Sequence, residues 1–117
     1  MKQTPETEQA LERAIQIAVE LKHRYVTPEH LLLAMLECES FYTLLKELDG
    51  HPKRLQKNIR KYFEKHAEVW EKSEFAPVAT NDMEQVINYA YSQAEVSGRE
   101  AVDFSHLLAG FLALEDS

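Results

Sequence analysis

Apolar residues recur at steps of three and four along most of the chain, the signature of amphipathic helices. Over residues 6–22 the stripe is Ala10, Leu11, Ala14, Ile15, Ala18 and Leu21. Thr4 precedes it as an N-cap, and Pro5 suits the first helical position, where a missing N–H costs nothing. Thr27-Pro28-Glu29 is a second start signal, with an acid in the first turn where the helix dipole favours negative charge. The run Leu31-Leu32-Leu33-Ala34-Met35-Leu36 is apolar nearly all round, so it predicts a short helix buried on most sides. Phe41, Leu44, Leu45 and Leu48 predict a third helix that Asp49-Gly50 ends. Pro52 opens a fourth, with Leu55, Ile59, Tyr62 and Phe63 inside and Val69 or Trp70 beyond it. Periodicity lapses over residues 71–80, which contain Ser73 and Pro77, and a linker is expected at about 67–80. Asn81 with Glu84 reads as a capping box. It opens a helix carrying Met83, Val86, Ile87, Ala90, Tyr91 and Ala94, which ends near Gly98. Asp103 caps a last helix with Leu107, Leu108, Phe111 and Leu112. No segment alternates strictly, so no strand is expected.

The chain also repeats itself. Shifted by 76 residues without a gap, it matches itself at eleven positions between 4 and 39, including Thr4/Thr80, Gln9/Gln85, Ala14/Ala90 and His30/His106. Chance at ordinary composition gives roughly two. Leucine-rich helices can align by pattern alone, but the polar matches and the absence of gaps favour a duplication. The expected architecture is all-α: two pseudo-symmetric copies of a helical repeat, the first at about 4–66 and a partial second at about 81–117, packed about a pseudo-twofold axis. By internal symmetry the second copy stops two helices short, at the counterpart of Phe41. The chain is thus expected to be a fragment of a longer one. The faces of residues 82–114 are expected to lack part of their cover and to expose an apolar patch.

Charge modifies this picture. The 117 residues carry a net charge of −7, from 20 acidic and 13 basic side chains. Between Lys53 and Lys65 lie Lys53, Arg54, Lys57, Arg60, Lys61 and Lys65 against the single acid Glu64, so that segment is +5 and the rest −12. An acidic body with one basic stripe argues against nucleic-acid binding, which needs Lys and Arg to neutralise phosphate. The stripe is either a solvated helix face or a docking face, with Lys53, Lys57, Arg60 and Lys61 as candidates. No apolar run is long enough for a membrane span, and no signal peptide opens the chain. One cysteine, Cys38, excludes an internal disulfide, and a cytoplasmic location fits. At the end of an apolar helix, Cys38 is expected to be buried and inert.

Two segments resemble a known family. His23-Arg24-Tyr25-Val26-Thr27-Pro28-Glu29-His30-Leu31-Leu32-Leu33-Ala34-Met35-Leu36 is similar to the signature of the Clp N-terminal domain of Clp/Hsp100 AAA+ unfoldases. The second copy, from Ser97 to Leu108, resembles it more loosely. The likeness covers nearly the whole chain and is nearest to the ClpA type, with ClpC, ClpB and ClpV as other forms. It implies two repeats of a four-helix motif in a non-catalytic domain. Such a domain receives substrates for unfolding, or an adaptor of the ClpS type, and the parent chain uses ATP and magnesium and feeds the ClpP peptidase. The sequence itself holds no phosphate-binding loop, since Gly50, Gly98 and Gly110 are isolated and none precedes Lys.

On this reading the candidate partner contacts are Arg24, Glu29 and His23. ClpA-type domains often carry an acid where Arg24 stands, so a contact to a basic adaptor group is lost or reversed here. The resemblance also implies zinc near His23, with Glu64 as the second ligand, and His66 could join. The alternative for His30 and His106, each at the third position of its helix, is local hydrogen bonding at the helix start. Tyr25, Phe75 and Phe104 are candidates for the rim of a binding groove or for core packing. The competing function is a structural or metal-binding helical interaction module with no ATPase attached.

Overall fold

A computed structural model describes residues 1–71 and 76–116. In chain order the elements are β1 (Lys2–Gln3), α1 (Pro5–Glu20), β2 (Tyr25–Val26), α2 (Pro28–Leu36), α3 (Glu39–Glu47) and α4 (Pro52–His66), followed by β3 (Val78–Ala79), α5 (Asn81–Val96), β4 (Ala101–Val102) and α6 (Phe104–Glu115). The 76-residue shift carries β1 onto β3, α1 onto α5 and β2 onto β4 without adjustment, and α2 and α6 start in register. Helices dominate, as the periodicity predicts.

The four two-residue strands correct the expectation of none. They are too short to show alternation in sequence, yet they fix how the copies meet. β1 pairs in parallel with β4, Lys2 opposite Ala101 and Gln3 opposite Val102. β2 pairs in parallel with β3, Tyr25 opposite Val78 and Val26 opposite Ala79. The repeat shift converts one register into the other. Each arm thus lies beside a strand of the opposite copy, as a pseudo-twofold arrangement requires. The pairing extends through Thr4 N–H to Val102 O (2.9 Å) and Thr80 N–H to Val26 O (3.1 Å).

Local chemistry at the helix ends is equally duplicated. Thr4 Oγ1 accepts from Thr7 N–H and Thr80 Oγ1 from Met83 N–H, so the cap of α5 is Thr80 and not the expected Asn81. Thr80 wins because its backbone is extended (φ −73°, ψ 163°). At the other end, His23 N–H reaches Ala18 O (2.8 Å) and Arg99 N–H reaches Ala94 O (2.9 Å). That six-to-one bond closes a helix through a residue of positive φ. The residue is Gly98 in the second copy (φ 72°) but Lys22 in the first (φ 59°).

The core runs from α1 through α2 to α5 and α6. On α1 the buried face is Thr7, Ala10, Ala14, Ile17 and Ala18. Ile15, expected inside, is 50% exposed and Ile17 only 2%. Ile17 stands three residues after Ala14 and seven after Ala10 and so continues their row, whereas Ile15 faces away. Leu21 caps α1 and is also partly exposed. Gly110, the counterpart of Ala34, lets α6 approach α5, since a Cβ there would meet Val86 O at 2.5 Å. On α4, Ile59 and Phe63 are buried as expected, while Tyr62 is half out.

Within the expected linker, Ser73 and Phe75 lie outside the described residues. The parts described are tied down: Arg24 N–H donates to Glu68 O (2.8 Å), Trp70 N–H to Lys22 O (2.7 Å) and Val78 N–H to Arg24 O (3.0 Å). On the second copy Leu112 is 64% exposed. A shallow cavity of about 450 Å³ opens between Gln85, Tyr89, Gly110 and Leu114.

The repeat predicts the effect of one substitution. Lys22→Gly places in the first copy the residue the second already uses at a left-handed position. It should raise stability by about 0.5–1 kcal/mol, the side-chain strain relieved less the added freedom of the unfolded chain. Urea unfolding measures it; a fall in stability would show that Lys22 carries no such strain.

Candidate functional site

Of the residues singled out in sequence, His23, Tyr25, His30 and His66 border one cavity. The αL turn after α1 delivers His23, the cap of α2 delivers Thr27 and His30, and the inner edge of α4 delivers Tyr62, Phe63 and His66. Tyr25, Ala67, Glu68 and Thr80 complete the lining of a space of about 390 Å³.

Hydrogen bonding fixes the protons at its base. Thr27 N–H donates to His30 Nδ1 (3.0 Å), the local bond at the helix start that the sequence offered as one alternative. It is the reciprocal half of a capping box, with His taking the part usually played by Glu or Gln. Asp103 N–H donates to His106 Nδ1 in the same way (2.9 Å). With Nδ1 accepting, neutral His30 must carry its proton on Nε2. That nitrogen lies 2.8 Å from His23 Nδ1, which therefore accepts, and the proton of His23 is forced onto Nε2.

Both rings are buried, His23 6% and His30 1% exposed, and both meet Phe63. His30 stacks on that ring with centroids 4.4 Å apart, and His23 meets it edge-on at 5.0 Å. Burial, and then the neighbouring His23, depress the pKa of His30 to about 4. Burial also lowers that of His23. The pair is a neutral, tautomer-locked relay from a backbone amide to the cavity. His23 has no duplicate, because its counterpart in the second copy is Arg99.

The other predicted residues sit elsewhere. Arg24 is half-buried, its guanidinium 4.2 Å from the Trp70 ring centroid, and its Nε is buried without a hydrogen bond among the described residues. Glu29 is half-buried in the first turn of α2. Neither lines the His23 cavity. Lys53, Arg54, Lys57, Arg60, Lys61 and Lys65 are all exposed on α4. Lys53, Lys57, Lys61 and Lys65 form an i, i+4 row, and no ion pair engages any of the six among the described residues. Cys38, expected buried, is half-exposed as the cap of α3, and its Sγ donates to Glu6 Oε1 (2.9 Å). Phe104 is half-buried and edge-on to Phe41.

Zinc fits this arrangement poorly. Glu64 is exposed beside Asn58, Lys61 and Lys65 in a different hollow from that of His23, though Tyr62 and His66 border both. Among the described residues no three His, Cys, Asp or Glu side chains are grouped to hold a metal. A cation at His23 would also need the ring nitrogen that the relay protonates. Sequence reasoning missed the cavity's other walls, Tyr62, Thr80 and Glu68, which come from segments far apart in the chain. The one available signal was the repeat itself, which sets β3 and Thr80 against β2.

Twinned helical repeats, cross-strapped by two-residue strands and capped by paired histidines, define a repeat-built helical domain. Residues 2–117 match the Clp repeat N-terminal domain, and the chain belongs to that family. It is 35% identical over 105 residues to the chaperone protein ClpB of Chlamydia pneumoniae. That alignment takes in 88% of this chain and 12% of the chaperone, so the chain spans about an eighth of its curated relative. Among solved structures it is similar to the Hsp104 N-terminal domain of Candida albicans, with a TM-score of 0.86, 16% identity, and coverage of 99% of this chain and 79% of that one. It is also similar to the N-terminal domain of the ClpV1 ATPase of E. coli, with a TM-score of 0.79, 21% identity, and coverage of 93% and 66%. These relatives support the domain family and the fold without singling out the ClpA type.

The relay makes stability depend on pH. Native His30 titrates near 4 against an ordinary value of 6.5, so on acidification the unfolded chain binds the proton first. The stabilisation is present in full above about pH 6.5 and is lost as pH falls toward 4, with a slope of up to about 1.4 kcal/mol per pH unit. The lowered His23 acts in the same direction. Urea midpoints from pH 7 to 4 test this, and His30→Asn, which keeps an acceptor near Nδ1, should flatten the slope.

Proposed function

We propose that this chain is the polypeptide-receiving, non-catalytic domain at the front of a Clp-type AAA+ unfoldase. Its parent chain would use ATP and magnesium to unfold what the domain receives, and in protease-linked forms would pass it to a ClpP-type peptidase. The observation that carries this reading is family membership across residues 2–117. The surface supports it. Exposed apolar side chains, Leu48, Val69, Val96 and Leu112 among them, and the exposed faces of Tyr25, Tyr62 and Tyr89 give an unfolded chain several places to rest.

An adaptor of the ClpS type is the finer form of the same proposal. Here Arg24 argues against an adaptor that needs an acid at this position, because its guanidinium already covers Trp70. Glu29 remains open to a basic group. Among the described residues, no helix is long and apolar enough to cross a membrane.

Capture of an unfolded protein tests the reading. Immobilised, the chain should retain reduced, carboxymethylated α-lactalbumin and not the native form. Retention of neither would remove the receiving role. The α4 lysine row makes a second prediction. If it steers acidic partners, Lys57→Glu with Lys61→Glu should slow association with the acidic carboxymethylated protein severalfold at low salt, with little effect at high salt. Stopped-flow fluorescence measures the rate, and an unchanged rate would leave the row a solvated face.

A further inference from the structure

His23 presents Nε2–H to the cavity with no partner among the described residues, although the side chain is 94% enclosed. The relay from Thr27 N–H through His30 leaves that nitrogen no role but donor. Thr80 lies on the same wall. Its Oγ1 already accepts from Met83 N–H, so its own O–H is available to donate. Glu68, an exposed residue, borders the same space and puts a negative charge at its edge. Tyr25 and Tyr62, 41% and 45% exposed, flank the opening, and His66 braces the Tyr62 ring at 4.7 Å. Phe63 forms the floor.

This set of groups selects its ligand. A free carboxylate or a phosphate would meet the donors but also Glu68. An ammonium would meet Glu68 but face the N–H of His23. A neutral peptide unit satisfies both sides, its carbonyl accepting and its N–H donating, and no charge is buried. The two tyrosine faces accept an apolar or aromatic side chain next to that unit. A space of about 390 Å³ lies in the lower part of the range for bound small ligands and holds one or two residues.

We infer that the cavity between β2, α4 and Thr80 is a binding site for an extended, uncharged peptide segment. The segment's carbonyl takes the His23 Nε2–H, its amide N–H faces Glu68, and a neighbouring aromatic side chain lies against Tyr25 and Tyr62. This rests on the polypeptide-receiving role and places that role at a specific site in the first copy. The second copy cannot duplicate it, because Arg99 replaces His23 and Ala101 replaces Tyr25.

The probe is a fluorescent peptide of glycine, serine and phenylalanine with both ends blocked. On titration into the ¹⁵N-labelled chain, the imidazole nitrogen signals of His23 should report an Nε2–H tautomer and shift as the site fills. His23→Phe removes the donor while keeping bulk and should weaken binding by about five-fold or more, the worth of one enclosed hydrogen bond. His23→Gln, which can still accept from His30 and donate to the ligand, should recover most of that loss. Tyr62→Ala, at an exposed position that does not threaten folding, should weaken binding of the phenylalanine peptide more than that of an alanine analogue. If the chain captures unfolded α-lactalbumin while His23→Phe and Tyr62→Ala bind peptide as the native chain does and the His23 signals stay still, this site is wrong and the receiving role stands. If the native chain captures neither unfolded protein nor peptide, the receiving role fails and the site with it.

Discussion

Each repeat begins with an arm that belongs, in hydrogen-bonding terms, to the other repeat. β1 lies on β4 and β3 on β2, and each exchange continues into the cap of the next helix through Thr4 or Thr80. Two residues of parallel pairing are worth little in isolation, since short ladders are marginal in water. Their effect is geometric. A helix whose N-cap is anchored to the opposite copy has its axis and rotation set before its apolar face packs. The buried alanines Ala14 and Ala18, and their counterparts Ala90 and Ala94, then have one depth at which they fit. Had the arms paired within their own copies, the same helices would not be strapped across the pseudo-twofold.

The same constraint builds the cavity. β3 must return beside β2, so the chain after α4 passes in front of His23, with Glu68 bonded to Arg24 and Val69 bridged to His23 itself. Thr80 is therefore a cap and a wall at once. Its Oγ1 serves α5 while its side chain closes the far side of the space. A site made from three separated segments stays open here because its walls are held by main-chain bonds. Side chains need not collapse into it to stabilise the fold.

Much of the fold was legible because the helices follow simple rules. Thr4-Pro5, Thr27-Pro28 and Pro52 mark true starts, and the 76-residue shift is visible without any structure. What sequence missed has physical causes. Two-residue strands fall below the length at which alternation can be seen. Ile15 and Ile17 are chemically alike, and Ile15 follows Leu11 by a step of four just as Ile17 follows Ala14 by a step of three, so two adjacent rows competed in the sequence. Cys38 follows an apolar helix but starts the next one, and a cap is half-exposed by position. At the site, His23 and His30 were legible as residues of interest but their relation was not. Seven residues apart, with β2 and the cap of α2 between them, they meet at 2.8 Å in a way that no simple helical or strand spacing announces.

The departures from internal symmetry locate function better than the symmetry does. Among the positions that both copies keep are a cap, buried alanines, a buried valine and leucine, and the histidine that accepts a backbone N–H; each of these has a structural task that either copy needs. His23 is different. Its counterpart is a solvated arginine, and the helix closes equally well with either residue, because only the backbone N–H takes part. Burying an imidazole beside another imidazole and a phenylalanine depresses both pKa values, which means that folding pays for it below neutral pH. The Lys22 turn adds a second cost that Gly98 avoids in the other copy. A fold that already has a cheaper solution to the same turn, and uses it 76 residues later, keeps the expensive one where a protonated Nε2 faces an open cavity. That pairing of cost and location is the physical ground for reading His23 as a recognition group and His106 as a structural one.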